Sequence, residues 1–241
     1  MEKTKKDCLV SGNIYHVFNR GVEKRSIFMD DRDYLRFIRG LLIFNDTKPI
    51  LNFNQKFESV YKFDKDKETL VDILAFCLMP NHFHILLKQR IDDGISKFMS
   101  KIGIGYANYF NLRYERVGSL FQGNFKSVLI NEESQFLNIP YYIHLNPLGL
   151  IFPDWQKKGI NKTKQAMEFL NSYRWSSHPD YIGQSNFCSL LEMNTLKEIF
   201  RNEENYKKDI CEFIKDFDFS NIKDVLIEKS VRQIDSPNPI F

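Results

Sequence analysis

The chain has 241 residues, 43% hydrophobic and 27% charged, with 34 Lys and Arg against 31 Asp and Glu for a net charge of +3. That length suffices for one core, or one core with an appended unit, and the balance is that of a globular protein rather than a disordered or polybasic one. A surplus this small does not argue for nucleic acid; only a locally concentrated basic face would.

No window approaches the roughly 18 uninterrupted apolar residues of a membrane span, and "MEKTKKDCLV" lacks the apolar run of a secretory signal. The expectation is therefore a cytoplasmic protein without a membrane partner. Cys8, Cys77, Cys188 and Cys211 form no close pair and are expected to be reduced and mostly buried. The 22 Phe are expected to serve core packing.

In chain order, "NIYHVFNRG" alternates as a strand, and "DDRDYLRFIRGLLIFN" follows with acidic residues in its first turn and apolar residues at helical spacing. Residues 46–70 are polar and irregular, which suggests a surface excursion. "LVDILAFCLMPNHFHILLK" reads as two strands parted by Pro80 and Asn81, a hairpin or a bent strand. "ISKFMSKIGIGYANYFNLRYE" has helical spacing, but Gly103 and Gly105 leave two readings open: close approach of another backbone, or a weak helix. "GSLFQGNFKSVLI" is a further strand, and "NEESQFLNIPYYIHLNP" a helix that Pro147 ends. "NSYRWSSHPDYIG" looks like a turn-rich connector, and residues 190–232 like one or two charged amphipathic helices. The order of elements fits an α+β fold: a ferredoxin-like antiparallel sheet with helices packed on one face, the other face free for a partner, and a helical C-terminal extension.

"MPNHFHILLK" carries two histidines where a strand alternates faces, so His82 and His84 project together and Phe83 turns away. Two imidazoles on one face are half of a site for a first-row divalent ion. In "YYIHLNP", Tyr142 and Asn146 share a helix face at i and i+4, so an Asn146 amide oxygen completes a nitrogen and oxygen set suited to Mn²⁺ or Mg²⁺. Tyr142 beside that metal is a candidate nucleophile toward a phosphodiester. Read from the residues alone, Tyr142 as a packing tyrosine and Asn146 as a helix-ending residue stay open. Pro140 is expected to kink or break this helix, which makes Tyr141 a competitor, although only Tyr142 has the four-residue spacing to Asn146.

In order, "YHVFNRG", "MPNHFHILL", "YANYFNLRYERVGSLFQGNFKS", "YIHLNP" and "WSSHPDYIG" resemble the REP-associated tyrosine transposases, a branch of the one-tyrosine HUH transposases that cut single-stranded DNA. The resemblance implies His82 and His84 as the metal pair, Tyr142 as nucleophile, Asn146 as third ligand and a divalent cofactor, Mg²⁺ or Mn²⁺. It also implies single-stranded or hairpin DNA as partner, with a monomer or homodimer as the acting form. Residues 8–150 are expected to form the transposase domain and 151–241 a partly helical accessory segment. The family usually has Arg where this chain has Asn124. Activity is expected to fall below about pH 6, because ligating imidazoles must be unprotonated.

Between Ile95 and Ile130, Lys97, Lys101, Arg113, Arg116 and Lys126 face a single acid, Glu115, amid Tyr and Phe side chains. Cations for phosphates and aromatic faces for unpaired bases suit single-stranded DNA, with Arg20, Lys101, Arg113, Gln122 and Lys126 as contacts. A solvated helix face with core aromatics is the alternative. His16 on the first strand is expected to be structural, with a place beside the metal site as the alternative. Two rival functions stand beside the transposase: a regulatory DNA-binding descendant of the same fold, and a hydrolase that activates water with its histidines.

Overall fold

The computed structural model describes residues 9–49 and 67–215. Four strands form one antiparallel sheet: β1 (Ile14–Arg20), β2 (Val71–Met79), β3 (His82–Gln89) and β4 (Lys126–Ile130). Their spatial order is β2-β3-β1-β4, and helices α1 (Asp31–Phe44) and α2 (Gly94–Arg113) supply the two crossovers. That is the ferredoxin-like arrangement expected from the sequence. Pro80 and Asn81 make the β2–β3 hairpin turn, with Met79 opposite His82.

Alternation divides the sheet into two cores. Val17, Phe76, Phe83 and Ile85 pack under Phe37, Leu41 and Ile102 of α1 and α2. Asp30 caps α1, its carboxylate accepting from Arg32 N and Asp33 N. Helix α2 is unbroken through both glycines: a Cβ on Gly105 would come within 2.6 Å of the Phe44 ring, so a side chain of α1, not a backbone, demands the glycine. Gly103 faces open space.

The opposite face is not free. Helix α3 (Glu133–Leu145) lies across it and runs unbroken through Pro140, and a 3-10 turn (Asn146–Leu150) follows. Helices α4 (Trp155–Lys158), α5 (Thr163–Ser172), α6 (His178–Tyr181), α7 (Asn194–Phe200) and α8 (Glu203–Lys215) then close a second core. In it, Leu86, Cys77, Ile139 and Leu148 meet Leu170, Leu196, Tyr206 and Ile210. Burying apolar residues on both faces of the sheet is the physical reason the second one is covered.

The stretch read as a connector is instead pinned to the outer edge of β2, where Leu78 N donates to Trp175 O and Ser177 N to Phe76 O, each at 2.9 Å. Cys77 is buried, Cys211 half-buried and Cys188 exposed, so burial is the exception among these three; Cys8 lies outside the described residues. Most of the 46–70 excursion and the chain beyond Lys215 also lie outside them.

Candidate active site

His82 and His84 leave β3 on one face, their ring centroids 5.0 Å apart, while Phe83 enters the opposite core. α3 delivers Tyr142, whose ring stands edge-on to His84 at 5.5 Å and to His16 at 6.1 Å. Tyr141 points away. Its hydroxyl donates to Asp209 Oδ2 on α8 at 2.8 Å, and its ring stacks on Phe213 at 4.4 Å. The helix thus settles which tyrosine faces the histidines. Asn146 donates Nδ2 to the Tyr142 carbonyl at 2.8 Å, which leaves its Oδ1 for the His82 ring, its other hydrogen-bonding neighbour.

The hydrogen bonds of His82 assign its tautomer. Asn81 donates Nδ2 to Lys24 O at 3.2 Å, so its Oδ1, 2.7 Å from His82 Nδ1, must accept. The neutral His82 therefore carries its hydrogen on Nδ1, and its other nitrogen is a bare acceptor. Asn146 Oδ1 is an acceptor as well, and only a proton or a cation satisfies both. His84 Nε2 is buried without a partner among the described residues. One nitrogen of each imidazole and an amide oxygen, when all are unprotonated, fit a divalent ion. Among the described residues no three of His, Cys, Asp and Glu gather as ligands, which makes the Asn146 amide the available third donor.

Burial holds both imidazoles neutral. It lowers His82 to about 4, with Asn146 opposing and the Arg20 charge assisting, and lowers His84 well below the ordinary value, with His82 and His16 assisting. Proton competition for the site consequently sets in well below the pH 6 expected from unperturbed histidines.

Three of the expected DNA contacts lie on or beside the strands that carry this site. Arg20 pairs in register with His82 on β1, and its Nε donates to Gln122 Oε1. Lys126 lies in the row that runs through Phe18 to His84, so its side chain leaves from the same face. The other two sit elsewhere. Lys101 Nζ donates to the Asp46 carbonyl at 2.7 Å. Arg113 clasps Asp30 and Asp33, at 2.6 Å and 2.7 Å, which commits it to the fold rather than to phosphate.

Asp33 is fully buried and also accepts from Met29 N and from the Tyr109 and Tyr114 hydroxyls. Asp33→Ala strips those donors together and is expected to lower stability by on the order of 3 kcal/mol. Thermal unfolding of the variant checks this, and DNA affinity per folded molecule is expected to stay within about twofold.

Sequence reasoning ranked one group low and left another without a role. His16, read as structural, lies 2.9 Å from His84 Nδ1 through its Nε2. His144, on α3 between Tyr142 and Asn146, belongs to a buried polar chain that ties this helix to the C-terminal segment. Asn171 Oδ1 accepts from His178 Nε2 at 2.9 Å, so His178 Nδ1 accepts from the Tyr206 hydroxyl at 2.7 Å. Tyr206 oxygen then accepts from His144 Nδ1 at 2.8 Å, and Ser177 Oγ donates to His144 Nε2 at 2.7 Å. Every donor meets an acceptor with both histidines neutral. Tyr206→Phe leaves both rings short of a partner and is expected to cost about 2 kcal/mol, read from urea unfolding.

Residues 50–146, which include His82, His84, Tyr142 and Asn146, match the family model described as "Transposase IS200 like". The resemblance read from the ordered motifs agrees with that match over this stretch. The chain is also similar to a solved structure described as "Structure of the REP associates tyrosine transposase bound to a REP hairpin". Identity is 14% and the TM-score 0.47, over 77% of this chain and 88% of that one. No curated protein sequence matches the chain. No helix among the described residues is long and apolar enough to cross a membrane.

Proposed function

We propose that the protein is a metal-dependent single-stranded DNA endonuclease and strand transferase, a transposase acting through a covalent 5′-phosphotyrosine on hairpin-bearing DNA. One observation carries this reading: Tyr142 is packed against His84, whose buried Nε2 has no partner among the described residues, and His82 and Asn146 stand beside it.

The Tyr142 oxygen forms a bond to phosphorus as the bond from phosphorus to the 3′-oxygen breaks. The phenol proton is lost and the 3′-oxygen gains one, so the step is balanced without ATP. The phosphodiester energy is kept in the phosphotyrosine, and a 3′-hydroxyl of another strand reverses the step to join ends. His82, His84 and Asn146 would hold Mg²⁺ or Mn²⁺, which when bound polarises a non-bridging phosphate oxygen. Because these donors are neutral, they leave the cation its full charge for the anionic substrate. Arg20, Gln122 and Lys126 receive the strand beside the site. The acting form is a monomer or a homodimer.

The test is a denaturing gel of the protein with labelled single-stranded hairpin oligonucleotides and Mn²⁺, with and without chelator. A covalent adduct that chelator abolishes supports the proposal. Metal-dependent cleavage without an adduct would instead favour the water-activating hydrolase, and binding without cleavage the regulatory descendant.

A further inference from the structure

The tautomer of His84 decides whether it can be a ligand. Its Nδ1 lies 2.9 Å from His16 Nε2, and only one of these two nitrogens carries the hydrogen between them. If His16 donates, His84 bears its own hydrogen on Nε2, where it is a buried N–H without an acceptor among the described residues and blocks a cation. If His84 donates, Nε2 is a bare lone pair. Orphaned buried donors are rarer than under-satisfied acceptors, which favours the second arrangement. His82 has the same arrangement, its hydrogen held on Nδ1 by Asn81.

We propose that His16 is a positioning residue that accepts from His84 Nδ1–H and so presents the bare His84 Nε2 lone pair to a divalent cation. The cation clause rests on the metal reading above; the tautomer clause does not. His16 is placed for this by register. It lies one step diagonally from His84 on the shared face, beyond the Phe18 and His84 pair, and its ring stacks nearly parallel to that of His84 at 5.1 Å and 12°. His16 is fully buried, so water does not compete for the bond. A neutral acceptor in this position orients the ligand without adding negative charge. Orienting groups behind metal-bound histidines are typically worth about 10–100-fold in metal affinity.

The experiment has two readouts. Long-range proton–nitrogen correlation spectra of the metal-free, histidine-labelled protein report the tautomer of each ring, with His84 assigned from its absence in His84→Gln. Expected is the Nδ1–H form at His84; an Nε2–H form would overturn the inference. Mn²⁺ affinity is then read from the electron paramagnetic resonance signal of the free ion. His16→Leu is expected to weaken it by about 10–100-fold, and His16→Gln, whose amide oxygen reaches the same place and accepts, to restore it to within about threefold of wild type. Equal affinity in His16→Leu would contradict the proposal. A wild type that binds no Mn²⁺ would sink the metal reading alone, since the tautomer still decides whether His16 sets the ring.

Discussion

Tyr142→Phe is expected to lower strand cleavage by more than about 10⁴-fold, whereas Tyr141→Phe keeps it within about threefold. The two residues are adjacent, and both phenols are buried. The difference lies in what each faces. Tyr142 meets the rings of His84 and His16, while Tyr141 is spent on Asp209 and Phe213 of α8. Burial, with the Asp209 carboxylate as its acceptor, also pushes the Tyr141 hydroxyl far above its ordinary range, which makes it a poor source of phenolate. Tyr141→Phe is expected to show a stability loss of about 1 kcal/mol for the missing bond to Asp209. Single-turnover cleavage measured beside thermal unfolding separates the two effects.

The second large effect is acid unfolding of the metal-free protein. Burial lowers His178 to about 3 and His82 to about 4, and lowers His84 and His144 well below the ordinary value of 6.5. In the unfolded chain each takes up a proton near 6.5, while the native state takes up none until far lower. The unfolded state therefore binds more protons in between, and stability falls as pH falls through that window. His82 and His178 each contribute roughly 3 kcal/mol of loss between pH 6.5 and pH 4, and His84 and His144 act in the same direction. The first two alone reach the lower end of the stability of an ordinary domain, about 5–15 kcal/mol. Unfolding by about pH 4 is expected, with a steady fall in the melting temperature from pH 6.5 downward. His178→Asn should make that fall shallower, even though it costs stability at neutral pH by breaking the bond to Tyr206. A melting temperature unchanged between pH 7 and pH 5 would contradict the neutral, buried state of these rings.

Much of this was legible in local pattern. The two-residue repeat places His82 and His84 on one face, and the four-residue repeat brings Asn146 under Tyr142, because both spacings are properties of a single element. The order of strands and helices was enough for the ferredoxin-like topology. What stayed hidden depends on register between distant segments. His16 and His84 are 68 residues apart in sequence, and only the antiparallel pairing of β1 with β3 sets them side by side. Strand alternation already put His16 on the face of Arg20; the neighbouring strand was the missing fact. Arg113 misled for a related reason: a cation among aromatics reads as a nucleic-acid contact until Asp33, 80 residues earlier, is found buried beneath it.

The covering of the second face was likewise not legible. The C-terminal half of α3 is buried all round, with Ile139, Tyr141, Tyr142, Ile143 and Leu145 inside, and a helical segment of that kind has to be enclosed on more than one side. The sheet supplies one wall. The other comes from α7 and α8, whose apolar stripes looked like those of a solvated accessory segment. Their mixed charge was the misleading signal, since Tyr206, Ile210 and Ile214 line the inner face of α8 and the charged residues its outside.

The most direct test of tyrosine chemistry at this site is peptide mapping of the protein after reaction with a hairpin oligonucleotide and Mn²⁺. Nuclease and protease digestion followed by mass spectrometry would locate the residual nucleotide. The expected result is a single modified peptide with a 5′-phosphate-linked nucleotide on Tyr142, absent from the His84→Ala protein. A nucleotide on Tyr141 or on any other residue, or cleaved DNA beside an unmodified protein, would contradict it.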